Sequence, residues 1–318
     1  MIELMGMAIA PKKPKGFVVL EPAVLPNAVN AAMACVHGNN LYFAGGINSS
    51  TTFTTFRRFN LLTRTWTSLA VLPKPLEGGV LSAIGDNIYL FGGAVMSGGA
   101  ITSYSADLYK YDIANNSWVL LSTSPLGGRR LFPGGVIGNK LYYFGGWNGT
   151  QLARVESYDV TTNTWTTLPN LPGIRHGHCA VSDGQKIYIF AGLTNGGGSV
   201  MNDVLVFDPS VSQTAVALAV TGTLPTVRCY SGVCVDKGIL YIYGGFSDGN
   251  GGGTRNDASY LDLTTKVWQK LNLTGYAAAG RAAPAYTYWN GEFHLLGGVT
   301  ANAASRFTEH IYIVLDQE

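Results

Sequence analysis

The 318-residue chain carries 41 glycines and is 47% hydrophobic but only 13% charged, about half the roughly 25% charge content usual in soluble domains. That composition excludes a disordered polyelectrolyte and a coiled coil. With 21 Lys and Arg against 19 Asp and Glu, the formal charge of +2 supplies no global field toward nucleic acid or a bilayer.

Residues 1–16 read MIELMGMAIA and then PKKPKG. The lysines follow the short apolar stretch where a secretory signal would place them before it. The expectation is a cytoplasmic protein, or one carried in a virion, without a signal peptide. Residues 1–16 are expected to form an arm and residues 17–318 one folded domain. No apolar run reaches the ~18 residues of a membrane span. Cys35, Cys179, Cys229 and Cys234 show no metal-ligand spacing, so free thiols and no metal are expected.

From residue 41 onward the chain is periodic. An apolar strand ending in a small-residue pair recurs as LYFAGG at Leu41–Gly46, IYLFGG at Ile88–Gly93 and LYYFGG at Leu141–Gly146. It returns as IYIFAG at Ile187–Gly192, LYIYGG at Leu240–Gly245 and FHLLGG at Phe293–Gly298. An alternating stretch follows, closed in four copies by Asp112, Asp159, Asp208 or Asp262. A polar turn then leads into a strand opened by Trp66, Trp118, Trp165 or Trp268. The fourth copy lacks its Trp. Each unit reads as four short strands, a to d, rich in Val, Ile, Tyr and Thr and bounded by Gly, Pro and Asn. One such sheet cannot bury both faces alone, but radial stacking on like sheets buries them, and ring closure protects the edges.

Gly-Gly, then aromatic-Asp, then Trp, at this period, resembles the kelch repeat, over residues 17–318. The resemblance implies an all-β, six-bladed kelch β-propeller. The sixth unit ends at Ile311–Asp316, where strand c should finish, and Phe17–Pro26 (FVVLEPAVLP) aligns with the d-strand sequence TWTSLAVLP. Blade 6 is therefore expected to be closed by the N-terminal strand pairing with the C-terminal strands.

In this architecture the d-to-a and b-to-c connections emerge on one face, the candidate binding surface. Arg130, Arg175, Arg228 and Arg281 stand 15, 16, 16 and 16 residues before their glycine pairs, which places four guanidinium groups near the channel mouth. Asp203 and Asp257 are in-blade partners for Arg175 and Arg228. Arg130 and Arg281 have no obvious partner in the sequence and suit a carboxylate or phosphate, which arginine grips bidentately. Trp147 and Phe246 open b-to-c loops and offer aromatic surface to a sugar or a partner side chain. His176 and His178 face the same way from an extended strand, without an identifiable third metal ligand; His176 is read as a rim contact. The loops Ser97–Gly99, Gly196–Gly198 and Gly249–Gly253 are polar and contain no phosphate cradle.

The resemblance leaves a binding module and a minority of enzymes in view. Neither the Cys-Tyr and His set of copper-radical oxidases nor the Glu, Asp and His pattern of iron-dependent specifier proteins is recognisable here. A sugar-acid enzyme of the N-acetylneuraminate mutarotase type is the alternative, with Arg281 or His176 acting. No nucleophile with a base can be assembled, and no cofactor is called for. No BTB-type or F-box segment is expected beside the repeats. The leading expectation is a non-enzymatic module meeting a glycan or protein at the loop face, docked by residues 1–16 into a larger assembly such as a virion.

Overall fold

The computed structural model describes residues 13–194, 199–223, 225–249 and 251–316. The first twelve residues of the expected arm, the Gly196–Gly198 loop and Asn250 of the Gly249–Gly253 loop lie outside them. Among the described residues the chain is almost wholly β, with one short 3₁₀ turn at Ala301–Ala303, in a β-propeller-like arrangement. No described helix is long and apolar enough to cross a membrane.

Strand β1 (Lys15–Glu21) leads into a sheet ordered β2 (Met33–His37), β3 (Asn40–Ala44), β4 (Phe56–Asn60) and β5 (Thr65–Ser68). A second sheet joins β6 (Val80–Ile84), β7 (Asn87–Phe91), β10 (Asp107–Asp112) and β11 (Ser117–Thr123), with the hairpin β8 (Ala94–Ser97) and β9 (Ala100–Tyr104) in its loop. A third is β12 (Gly134–Ile137), β13 (Lys140–Trp147), β14 (Gln151–Asp159) and β15 (Thr164–Leu168). The fourth is β16 (Cys179–Ser182), β17 (Ile187–Phe190), β20 (Val204–Phe207) and β21 (Val216–Ala217), with the hairpin β18 (Leu193–Thr194) and β19 (Ser199–Val200). The remaining strands are β22 (Thr221–Gly222), β23 (Gly232–Asp236), β24 (Ile239–Tyr243), β25 (Ala258–Asp262), β26 (Val267–Gly275), β27 (Ala285–Trp289), β28 (Glu292–Leu296) and β29 (His310–Asp316). Together with β1 they form a nine-stranded sheet whose path runs β23-β24-β25-β26-β1-β29-β28-β27, with β22 on β26.

The apolar runs before the glycine pairs are buried on both faces, as in Leu41–Ala44, Ile88–Phe91 and Leu240–Tyr243, because each sheet is stacked between two others. The tryptophans wedge between sheets. Trp118 lies 4.9 Å from the Phe56 ring of the preceding sheet, and Trp165 and Trp268 lie 5.1 and 5.2 Å from Phe91 and Phe190. Trp118 and Trp165 also donate across the gap, to the Ala70 carbonyl and the Ser122 hydroxyl. Where the fourth copy lacks its Trp, β21 shrinks to two residues. Asp159 and Asp262 each accept two backbone N–H bonds in their turns, and Asp112 and Asp208 accept one each, the turn chemistry expected of Asp.

Two cyclic sets of backbone hydrogen bonds join the sheets. Ala31, Gly78, Leu131, Gly177, Tyr230 and Ala283 all adopt the left-handed conformation. Each N–H donates to the previous member's carbonyl, and Ala31 donates to Ala283, over 2.6 to 2.9 Å. Farther out, the second residue of each glycine pair donates to the next sheet. Gly46 reaches Leu76, Gly93 Arg129, Gly146 Arg175, Gly192 Arg228 and Gly245 Arg281, and Gly298 returns to Val29. At the first glycine of each pair a side chain would crowd the neighbouring sheet, and at the second the start of strand a in its own sheet. A Cβ on Gly45 would stand 2.2 Å from the Leu76 carbonyl oxygen.

The two chain ends meet. Strand β1 pairs antiparallel with β29 from Lys15↔Asp316 to Glu21↔His310, and its first residues also pair parallel with β26. The strand starts at Lys15, two residues inside the expected arm. Gly45→Ala is expected to cost at least about 3 kcal/mol in denaturant unfolding, since the methyl meets backbone. Gly38→Ala, also left-handed at φ +56 but with nothing within 4 Å, should cost only about 1–2 kcal/mol.

Candidate functional site

Where the strand-a starts converge with the loops that follow the glycine pairs, a cavity of about 800 Å³ opens. It is lined by Asn30, Glu77, Arg130, Tyr230, Phe246 and Arg306, among others. The local pattern that builds it is an isolated antiparallel bridge just before each left-handed residue: Asn30↔Ile47, Glu77↔Ala94, Arg130↔Trp147, His176↔Leu193, Cys229↔Phe246 and Ala282↔Val299. Leu131 and Tyr230 form its floor and also line a narrower channel of about 170 Å³ beyond.

The seven residues selected from sequence separate into two groups. Arg130, Trp147, His176 and Phe246 are held close together. The Trp147 and His176 rings are 5.1 Å apart, His176 is 6.1 Å from Tyr230, and Tyr230 is 6.0 Å from Phe246, forming an aromatic arc. Arg130 and Phe246 line the cavity; Trp147 and His176 pack at its side. Burial, aided by the Arg130 charge, pushes His176 down to about 4, so it is neutral at pH 7.

Arg175, Arg228 and Arg281 are not mouth groups. Each is buried, donates to the first carbonyl of its own small-residue pair (Ala191, Gly244 or Gly297), and pairs with Asp203, Asp257 or Glu309 at 2.9, 3.0 and 2.5 Å. Arg281 has no exposed side-chain surface and lies 4.4 Å from the Phe307 ring. The expectation that it was unpartnered, and with it the sugar-acid role assigned to it, is corrected. Glu309 sits just before the last strand, two residues ahead of Ile311, the residue that repeat spacing aligns with Asp203 and Asp257.

Arg130 is also partnered, by Glu77. The residue equivalent to the three buried arginines is Arg129, 16 residues before its glycine pair. Arg129 is fully buried against Glu156 at 2.6 Å, and Ser124 donates to the second carboxylate oxygen at 2.6 Å. Burial lowers Arg129 to about 10, with Glu156 opposing. Arg154 takes the carbonyls of Leu126, Gly127 and Gly128. The one-residue difference, 15 against 16, was the sequence signal that Arg130 belongs to another ring.

Sequence reasoning missed Tyr230 and Arg306. Arg306 donates from Nε to Asn30 at 2.7 Å and forms no ion pair with a described carboxylate. It falls after the last glycine pair, where no other repeat carries an equivalent cation. All four cysteines are buried and unpaired; burial pushes Cys179 up to about 12. No group of three metal-ligating side chains occurs among the described residues. Glu156→Leu should cost about 3–5 kcal/mol by stranding Arg129, and Arg129→Met with Glu156→Leu should recover most of that loss in urea unfolding.

The family model described as the KLHDC2/KLHL20/DRC7 Kelch-repeats domain matches residues 18–171 and 136–314. The chain is 32% identical to human Kelch-like protein 34 over 48% of its own length and 25% of that protein. It is 26% identical to Kelch-like protein terF of Aspergillus terreus over 68% of the chain and 49% of that protein. With bovine Kelch domain-containing protein 3 the identity is 25%, over 73% of the chain and 68% of that protein. The chain thus spans a quarter to a half of the first two relatives. With a family model matched across nearly its whole length, and the glycine-pair, Asp-turn and Trp-wedge geometry repeated sheet after sheet, the chain belongs to the kelch-repeat family.

Proposed function

We propose that the chain is a six-bladed kelch propeller that binds a protein partner at the cavity mouth and carries out no chemistry of its own. The six-blade reading divides the nine-stranded sheet into β23–β26 and a closing blade of β27, β28, β29 and β1. It is supported by the cyclic hydrogen bonds that return from Ala31 to Ala283 and from Gly298 to Val29. The propeller body takes in residues 15–316, and a larger assembly through residues 1–12 is not part of this reading.

The observation that carries the binding role is the character of the mouth. Arg130 and Arg306 stand among apolar Ile47, Met96, Phe246 and Val299 in an open cavity, whereas the arginines beneath are used up in internal pairs. A cavity of this size with a few directed polar groups is the usual form of a recognition site. It fits a partner loop that presents an acidic side chain beside an apolar one, with Phe246 as the apolar contact and Arg306 as the charged one. The titratable groups at the mouth are committed to internal contacts: Glu77 is held by Arg130, and His176 packs between the Trp147 and Tyr230 rings.

Selection from a displayed random-peptide library tests this reading. The wild-type protein should enrich sequences with an acidic residue next to an apolar one, and Arg306→Ala or Phe246→Ala should weaken the selected peptides by about tenfold, roughly 1.4 kcal/mol. Enrichment that both variants leave unchanged would contradict it, as would turnover of a sugar acid by the wild-type protein.

A further inference from the structure

The gap between the first sheet and the closing strands holds, beside its apolar core, a buried polar cluster. His294 on β28 and His310 on β29 are both fully buried, and His294 Nδ1 lies 2.9 Å from His310 Nε2. His294 Nε2 is 3.1 Å from Glu292 Oε2. From the turn after β4, Arg64 reaches Glu292 at 2.6 Å and Glu21 of β1 at 3.6 Å, and stands 4.7 Å over the Tyr312 ring. Phe59 and Trp66 of the first sheet close over His310 at 5.0 and 6.2 Å. The cluster therefore spans the seam at which the two chain ends close the ring: Glu21 and Arg64 lie on one side, and His294, His310, Glu292 and Tyr312 on the other.

The partners fix the tautomers. The Glu292 carboxylate, 3.1 Å from His294 Nε2 although outside hydrogen-bond geometry, favours the His294 proton on Nε2, and the bare Nδ1 then accepts from His310 Nε2–H. His310 Nδ1 is then bare and has no hydrogen-bond partner. A proton added there creates a buried N–H without an acceptor. A second proton would set N–H against N–H across 2.9 Å. Glu292 opposes burial at His294, but nothing acidic offsets it at His310, where the neighbouring His294 and Arg64 add to the cost of a charge.

We propose that this seam is an acid-sensitive latch: protonation of the His294–His310 pair releases β1 and the first sheet from β29, opening the ring there while the remaining sheets stay folded. Burial lowers both imidazoles below their ordinary value near 6.5. A group whose folded value is depressed binds its proton more readily in the opened state, so closure is fully favoured above about pH 6.5 and weakens as the pH falls below it. Glu21, pushed up by burial, acts in the opposite direction, since its protonation favours the closed state.

Amide hydrogen exchange on the full chain at about pH 7.5 and about pH 5.5, corrected for intrinsic rates, tests this. Exchange in Lys15–Glu21 and His310–Asp316 should rise about tenfold or more on acidification, with Lys140–Trp147 unchanged. The double variant His294→Gln, His310→Phe should remove the rise. If that variant fails to fold, the wild-type comparison decides alone. Equal acceleration in all strands, no acceleration at the ends, or a rise that persists in a folded double variant would each overturn the latch.

Discussion

The fold depends on backbone contact between neighbouring sheets near the central axis. Six residues held in the left-handed conformation pass one hydrogen bond each around the axis, and the glycine pairs pass a second set farther out. Leu131, Tyr230, Ala31 and Ala283 adopt this conformation at a cost of about 1–2 kcal/mol each, which the hydrogen bonds and the stacked sheets must offset. The tight approach limits the pair positions to glycine and, once, Ala191, and fixes which residues can reach the mouth.

The arginines show how one residue type serves two ends one position apart. Arg129, Arg175, Arg228 and Arg281 lie under the ring, where each guanidinium is desolvated and held by a carboxylate on or just before the third strand of its unit. Such pairs bind nothing from outside, and their worth lies in how much is lost when one partner is removed. Arg130 and Arg306 lie above the ring, beside open space and apolar side chains. Position relative to the ring separates the two groups.

Much of the fold was legible because the repeat imposes it. The glycine pairs, Asp turns and Trp wedges are spaced strictly enough to place the strands, and the truncated last unit together with FVVLEPAVLP pointed to the pairing of β1 with β29. The mouth was less legible. Arg281 looked unpartnered because its carboxylate, Glu309, sits two residues from the compared position, and Arg130 was grouped with residues 16 before their pairs although it stands at 15. Tyr230 and Arg306 gave no repeat-based signal, since function in a repeat protein lies in departures from the repeat. The polar seam was equally hidden: His294 and His310 are scattered in sequence and meet only because β28 and β29 are neighbours.

Ring closure by the two ends is the central claim, and a disulfide tests it most directly. Phe17 and Val314 are register partners on adjacent antiparallel strands and both are exposed, so Phe17→Cys with Val314→Cys meets the short approach a disulfide needs. Under mild oxidation this pair should form an intramolecular bridge in nearly all molecules, seen by mass spectrometry of a tryptic digest. Phe17→Cys with Ile313→Cys, one residue out of register, should form far less. Equal bridging by both pairs, or only bridges between molecules, would contradict the closed ring.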